Sequence, residues 1–218
     1  ASGASFDVKY KDDCVHFDLK VTGMFNVYNI LGVIGVALAE KISFDLIKET
    51  LEAFEAVAGR FELVRQGQDF SVIVDYAHTP DGLENVLKTA REIAKKRLIV
   101  VFGCGGDRDR TKRPIMGRIA EQLADVVIAT SDNPRTEDPE FILSEVEAGV
   151  LPALHGNFHE KITDRRTAIF RAIELAQKDD IVLIAGKGHE NYQILKTGTI
   201  HFDDKEVAIE AIRGKING

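Results

Sequence analysis

The chain has 218 residues, of which 44% are hydrophobic and 29% are charged, and its formal net charge is -7 at neutral pH. This composition is ordinary for a soluble globular protein, and the acidic balance argues against a nucleic-acid surface, because a general binder of the phosphate backbone is basic. No apolar run in the sequence reaches membrane-spanning length, so we expect no membrane partner. Cys14 and Cys104 match no metal-ligand spacing, and we expect free thiols in a reducing cytoplasm.

The N-terminal segment predicts a hairpin followed by two helices. Residues 5–22 alternate apolar and polar side chains on either side of a turn-like KDD, which is typical of a β-hairpin. Residues 26–41 are apolar nearly all round and predict a buried helix. A second helix is expected to begin at Ser43, a candidate N-cap. The pattern then breaks, and we place a domain boundary near Gly59.

From Phe70 onward, apolar strands alternate with helices. The expected strands are residues 70–74, 97–102, 125–130 and 181–185. Their central residues are apolar on both faces, which is typical of a parallel sheet covered on both sides. A hairpin and a final helix are expected to close the chain. We therefore predict an α/β fold with a Rossmann-like, mostly parallel sheet that has helices on both faces.

Each of these four strands is followed by a segment rich in glycine and polar residues. The segments are DYAHTPDG, GCGGDRDRTKRP, SDNPRTEDP and GKGHENYQ, whereas the connections at the other ends of the strands, such as AKKR and AQKDD, are merely hydrophilic. Ligands of open α/β sheets bind beyond the carboxyl ends of the strands. The asymmetry therefore predicts one functional edge.

The SDNPR segment predicts recognition of an amino-acid headgroup. Asp132 and Asn133 can accept hydrogen bonds from an ammonium, and Arg135 can clamp a carboxylate, while Pro134 stiffens the loop. An Asx turn leading to the next helix would explain the Asp, Asn and Pro but not the arginine. Glu190 offers a second acceptor for an ammonium, and the alternative is a glycine loop with a solvated glutamate.

Other polar residues of these segments carry weaker signals. The glycines of GCGGDRD let backbone amides approach a ligand, and Arg108 could grip an anion, but a tight turn with a solvated arginine is the alternative. Lys112 and Arg113 are interpreted as solvated charges at a helix start. His155 and His159 have the spacing of a zinc pair, but a glycine and an asparagine lie between them, so we expect surface histidines and no metal site.

Together these motifs resemble the Mur ligases of peptidoglycan synthesis. The resemblance runs from GMFNVYNILGVIGVAL to HFDDKEVA and covers nearly the whole chain. Its most specific part is DNPR, which in the family marks enzymes that choose meso-diaminopimelate. The resemblance implies an ATP-dependent acid–amino-acid ligase that adds this amino acid to UDP-MurNAc-L-Ala-D-Glu. The positions that match the family's diaminopimelate-binding residues are Arg108, Asp132, Asn133, Pro134, Arg135, Gly186 and Glu190. The positions that match its ATP contacts are Asn29, Arg60 and Asp75.

One motif of the family is missing, since no GxxxxGK[ST] phosphate loop occurs in the sequence. The resemblance implies that residues 1–58 are the tail of the central ATP-binding domain and 59–218 the C-terminal domain, with the phosphate loop and the Mg²⁺ ligands upstream. We expect the isolated chain to keep the amino-acid pocket and to catalyse no reaction. Two alternatives stay open: a related ligase that adds another amino acid, and a module that binds an amino acid without chemistry.

Overall fold

The computed structural model of the protein describes residues 3–21, 23–55, 57–150 and 158–218, with the backbone alone for Phe25 and Phe158. The chain forms two compact units, Ala1–Val57 and Ala58–Gly218. Within the described ranges, every helix is too short or too polar to cross a bilayer.

The first unit consists of a hairpin and two helices, as the sequence predicts. Strands β1 (Ala4–Tyr10) and β2 (Asp13–Leu19) pair antiparallel, and helices α1 (Met24–Ala39) and α2 (Phe44–Ala53) follow. The predicted N-cap is confirmed, because the Ser43 hydroxyl accepts a hydrogen bond from the third backbone amide of its helix.

Helix α1 differs from the prediction of a buried helix. Ile30 and Ile34 are buried in a small core that also includes Phe17, from the hairpin. On other faces of α1, Tyr28 is 68% exposed and Val36 is 66% exposed. The apolar pattern gave the helix correctly but not its burial, because the hairpin and α2 cover α1 on one side only within this unit.

The second unit is built on a six-stranded sheet in the order β3-β4-β8-β5-β6-β7. All neighbouring strands are parallel except the edge strand β3, which pairs antiparallel with β4. The mostly parallel sheet is thereby confirmed. Strand β8 is the last of these six strands in the chain, and it is inserted between β4 and β5. The strands are β3 (Glu62–Val64), β4 (Ser71–Asp75), β5 (Leu98–Phe102), β6 (Val126–Ala129), β7 (Phe158–Lys161) and β8 (Ile181–Ala185).

Helices cover both faces of this sheet, which is the predicted architecture. Helix α3 packs on α4 and α4 on α5, whereas α6 packs on α7. One set of alternate strand residues, Val74 and Val101 among them, shares a core with α6 and α7. The helices are α3 (Pro80–Ile93), α4 (Lys112–Leu123), α5 (Pro139–Glu147), α6 (Arg165–Leu175) and α7 (Asp204–Asn217), and a hairpin of β9 (Tyr192–Leu195) and β10 (Gly198–His201) precedes α7.

Side-chain caps fix where several helices begin. Asp138 accepts a hydrogen bond from the amide of Glu140 and so caps the start of α5. Asp164 caps α6 and Asp203 caps α7 in the same way. These caps place the first residues of α6 and α7 beside the loops that leave the carboxyl ends of the parallel strands.

Candidate functional site

The loops that follow β5 and β6 are joined to each other and to the β9 hairpin by backbone hydrogen bonds. The amide of Gly106 donates to the carbonyl of Asn133 at 2.9 Å, and the amide of Arg135 donates to the carbonyl of Ile194 at 3.0 Å. A Cβ on Gly106 would lie 1.9 Å from the carbonyl oxygen of Pro134, so only glycine permits this approach. The predicted functional edge therefore forms one connected surface.

Asp132 carries a buried carboxylate oxygen without a partner. The residue is 8% exposed, and its Oδ2 makes no hydrogen bond to any described residue. Gly186 lies beside it at φ +124°, where a Cβ would come within 2.7 Å of that oxygen. A buried unpaired carboxylate oxygen is costly, and native structures retain few of them. The glycine thus keeps open the space next to an oxygen suited to a cationic donor.

Asn133 connects two charged residues of the β8 loop. Its Oδ1 accepts from Lys187 Nζ at 3.1 Å and from the amide of Ile194 at 2.9 Å, and its Nδ2 donates to Glu190 Oε2 at 3.0 Å. Lys187 Nζ lies 3.2 Å from the same Glu190 oxygen. The amide is therefore oriented at both ends, and Glu190 is held by one of its two oxygens.

A buried ion pair lies next to these loops, at the end of β8. Arg165 and Asp204 are both 0% exposed in their side chains, and two nitrogens of the guanidinium donate to the two carboxylate oxygens at 2.7 and 2.6 Å. Arg165 Nη2 also donates to the carbonyl of Ala185 at 3.1 Å. Burial of Arg165 disfavours its charged form, but the charge and hydrogen bonds of Asp204 outweigh this effect and raise the pKa of the guanidinium. The pair ties the starts of α6 and α7 to the end of β8.

Arg135 is anchored to its own loop by one end of its guanidinium. Its Nη1 donates to the carbonyl of Gly106 at 2.8 Å and to that of Asn133 at 3.3 Å, and the residue has φ +54°. Its Nε and Nη2 make no hydrogen bond to any residue that the structure describes. Arg108 is exposed, and a Cβ on Gly105 would lie 3.8 Å from its Cγ and 2.9 Å from Arg135 Nη1. The two arginines therefore border the same glycine.

The interpretation of Arg113 as a solvated helix-start charge is wrong. Its side chain is 0% exposed and pairs with Glu137 at 2.8 Å and Glu145 at 2.5 Å, and its Nη2 donates to the carbonyl of Gly105 at 3.2 Å. The hydrogen bond from Arg113 lowers the pKa of Glu137 to about 2. Helix α4 packs against α5, so the first turn of α4 faces the carboxylates around α5 rather than solvent.

The residues predicted to contact ATP lie apart from this group in sequence. Asp75, at the end of β4, is 6% exposed and accepts from the amides of Phe61 and Ala77, both at 2.8 Å. Burial raises the pKa of Asp75. Arg60 is exposed, with its guanidinium carbon 4.9 Å from the centre of the Tyr76 ring.

The remaining predicted residues are placed as follows. Asn29 is exposed on α1 of the first unit. His155 lies outside the described residues. His159 lies on β7 with 22% of its side chain exposed, 3.7 Å from Glu147, so it is less exposed than a surface histidine. No group of three or more metal-ligating side chains occurs in the described part of the chain.

The structure thus brings together Asp132, Asn133, Pro134, Arg135, Gly186 and Glu190, with Arg108 on the neighbouring loop. Sequence reasoning missed Lys187 and Arg165. Arg165 stands next to Arg166, whose side chain is 46% exposed, and no pattern in the sequence separates the buried arginine from the exposed one. Lys187 lies inside the predicted GKGHENYQ segment, so its position there was the available signal.

Comparison with known proteins agrees with this architecture. A curated relative from Syntrophomonas wolfei, named UDP-N-acetylmuramoyl-L-alanyl-D-glutamate--2,6-diaminopimelate ligase, is 54% identical over 98% of this chain and 44% of its own length. A relative of the same name from Oceanobacillus iheyensis is 51% identical over 99% of this chain and 43% of its own. The chain therefore spans less than half the length of these relatives.

Solved structures give the same result for the fold. A structure titled with the same enzyme name has a TM-score of 0.73 and 40% identity, covering 99% of this chain and 44% of its own. Folylpolyglutamate synthase from Thermotoga maritima has a TM-score of 0.64 at 21% identity, covering 84% of this chain and 40% of its own, and shares the fold alone. The family model described as "Mur ligase, glutamate ligase domain" matches residues 59–188. With that match extending over more than half of its residues, the chain belongs to the Mur ligase family.

Proposed function

We propose that this chain is the amino-acid-binding part of an ATP-dependent ligase that adds meso-diaminopimelate to UDP-MurNAc-L-Ala-D-Glu in peptidoglycan precursor synthesis. In this proposal, residues 1–58 are the tail of the central ATP-binding domain and 59–218 are the C-terminal domain. The names of the relatives support the reaction. The observation that carries the substrate is the buried, unpaired Oδ2 of Asp132 beside Gly186.

The distal headgroup of diaminopimelate has an ammonium next to a carboxylate. The ammonium would occupy the space beside Asp132 Oδ2 that Gly186 keeps open, with Glu190 as a second acceptor. The carboxylate would bind the free donors of Arg135, with Arg108 as a second cation. Lysine lacks this carboxylate, so Arg135 and Arg108 would have no carboxylate to bind. Sites built to bind a polar group reject analogues that lack it by factors on the order of 10⁴ or more.

The proposed reaction has two steps. ATP phosphorylates a D-Glu carboxylate of the UDP-sugar dipeptide, and the amine of diaminopimelate then attacks the acyl phosphate, so that an amide forms and phosphate leaves. This chain would hold the amine donor at its distal end and so present the other amine to the acyl phosphate. The residues named for the pocket bind and orient, and none of them is assigned a catalytic role.

The nucleotide is proposed to contact Asn29, Arg60 and Asp75. Arg60 is exposed and stacked on Tyr76, which leaves the edge of its guanidinium free for a phosphate or a ribose hydroxyl. Both oxygens of Asp75 already accept backbone amides, so it would hold the loops around a nucleotide and accept at most a further hydroxyl. Mg²⁺ would neutralise phosphate charge when bound. The described residues contain no ligand cluster for it.

Isothermal titration of the 218-residue chain tests the substrate class. We expect meso-diaminopimelate to bind and lysine to bind far more weakly, because lysine leaves Arg135 unpaired. Arg135→Ala should weaken diaminopimelate binding by about ten- to a few hundredfold, since a charge-assisted hydrogen bond contributes roughly 1.5–3 kcal/mol. Arg135→Lys should restore only part of the affinity, because an ammonium lacks the planar fork.

A matched control separates recognition from loop stability. Arg118→Ala, on the exposed face of α4, should leave both affinities unchanged. If Arg135 only holds its loop through Gly106, then Arg135→Ala would lower the melting temperature without changing the ratio of the two affinities. An unchanged ratio in a folded variant would rule out Arg135 as the residue that selects the substrate.

A further inference from the structure

Lys187 is a buried cation that the proposed recognition of substrate does not use. Its side chain is 0% exposed, and its ammonium lies 3.1 Å from Asn133 Oδ1 and 3.2 Å from Glu190 Oε2. The ammonium also lies 5.6 Å from the centre of the Tyr192 ring. A buried ammonium is costly unless it is paired and hydrogen-bonded. Its position at the centre of the ammonium-binding side of the pocket therefore calls for a physical explanation.

The hydrogen bonds of Lys187 determine how Asn133 and Glu190 are presented. Asn133 Oδ1 receives two donors, Lys187 Nζ and the amide of Ile194, so the carboxamide cannot flip without losing both. Its Nδ2 is then directed at Glu190 Oε2, 3.0 Å away. Glu190 Oε2 receives donors from both Asn133 and Lys187. The other oxygen, Oε1, makes no hydrogen bond among the described residues and is left for a ligand.

The formal charges of the pocket also indicate that it binds one ammonium. The carboxylates of Asp132, Glu190 and Asp204 face two buried cations, Arg165 and Lys187. Asp204 is paired with Arg165, and Glu190 with Lys187. Asp132 Oδ2 is buried and left without a donor. These three carboxylates therefore exceed the two cations by one charge, which the ammonium of a single headgroup would balance.

We propose that Lys187 is a positioning residue of this pocket: it orients Asn133 and Glu190 and compensates one of the two carboxylates, so that the pocket takes one ligand ammonium. The proposal rests on the proposed function for the identity of the ligand. Without Lys187, Glu190 would keep a single donor, and the second uncompensated carboxylate would attract a buffer cation that competes with the ligand.

Two measurements on the 218-residue chain test this role. In the first, titration with meso-diaminopimelate should show an affinity lower by about ten- to a hundredfold for Lys187→Met, as expected for the loss of a charge-assisted hydrogen bond. Lys178→Met changes an exposed lysine at the opposite end of β8 and should bind as the unsubstituted chain does. Equal affinities of Lys187→Met and the unsubstituted chain would overturn the proposal.

The second measurement needs no ligand. The side-chain amide resonances of Asn133 in a ¹H–¹⁵N spectrum should move in Lys187→Met and in Glu190→Gln, because each substitution removes one fixed partner of the carboxamide. They should stay in place in Lys178→Met. A Lys187→Met spectrum with unmoved Asn133 resonances would overturn the proposal, and if that variant does not fold, Glu190→Gln decides by the same criterion.

The two measurements separate the proposals. If the unsubstituted chain binds no meso-diaminopimelate, the proposed substrate is wrong, while the Asn133 resonances still decide whether Lys187 orients the pocket. If the ligand binds and Lys187→Met changes neither affinity nor resonances, the substrate stands and Lys187 is only a packed side chain. A merely structural lysine would lower the melting temperature without moving the Asn133 resonances in the folded protein.

Discussion

Removing the charge of Asp204 should destabilise the second unit far more than removing an exposed charge nearby. Asp204→Asn leaves the guanidinium of Arg165 fully buried without its carboxylate. Breaking a buried pair on one side costs about 3–5 kcal/mol. For a chain of this size, each kcal/mol corresponds to a fall of roughly 2–4 °C in melting temperature, so we expect a decrease of about 6–20 °C. Glu210→Gln is the control, because its pair with Arg166 is exposed and exposed ion pairs contribute little to stability.

Hydrogen exchange of the β8 backbone amides, measured at increasing urea concentrations, reports the free energy of unfolding of the second unit alone. The double substitution Arg165→Met, Asp204→Leu should recover most of the lost stability, since replacing a buried pair by apolar groups is often neutral. It should not recover ligand binding if Arg165 holds the carbonyl of Ala185 in place for the pocket. The reasoning is refuted if Asp204→Asn costs no more than Glu210→Gln, or if the double variant is no more stable than the single one.

Three further predictions follow from single positions. Gly186→Ala should abolish binding of meso-diaminopimelate in a folded chain, measured by titration, because its Cβ would lie 2.7 Å from Asp132 Oδ2 and its φ is +124°. Glu137→Gln should flatten the acid limb of the stability curve: the pKa of Glu137 is lowered from 4.5 to about 2, so its contribution is present above pH 4.5 and is lost as pH falls toward 2. Gly117→Ala should lower the melting temperature, since its Cβ would lie 2.2 Å from a carbonyl oxygen. Gly214→Ala has open space around its Cβ and should stabilise α7 by about 0.5–1 kcal/mol. A higher melting temperature for Gly117→Ala than for Gly214→Ala would contradict this reasoning.

The layout of the second unit could be predicted from the sequence because its strands are apolar on both faces. Residues 181–185 and 98–102 are all apolar, which only a sheet covered on both faces accommodates. Once the sheet is parallel, the segments after its strands must meet at one edge. Asn133 Nδ2 and Glu190 Oε2 are 3.0 Å apart there, although the two residues are 57 positions apart in sequence. Strand β3 was missed because its three residues are too few to show a pattern.

The partners of charged side chains could not be predicted in the same way. Arg113 and Arg165 each stand near a helix start, where charges are usually solvated, yet both are 0% exposed. A sequence pattern gives the face of a helix on which a side chain lies, but not the carboxylate that another helix brings to that face. The exposed apolar face of α1 is the converse case, because the pattern shows which residues are apolar but not what covers them.

The position of Arg165 itself argues that the pocket, rather than α6, accounts for it. It is the first residue of α6, where the positive end of the helix dipole disfavours a cation. It is also fully buried, which adds a second unfavourable effect. Helix stability alone would favour an acid or a small polar residue there. Its hydrogen bonds to Asp204 and to the carbonyl of Ala185 connect α7 and β8 at the residue preceding Gly186. Residues that violate helix and burial preferences are found most often at functional sites. Here the arginine holds the backbone next to Gly186 in place, and Asp132 Oδ2 beside it stays open to a ligand.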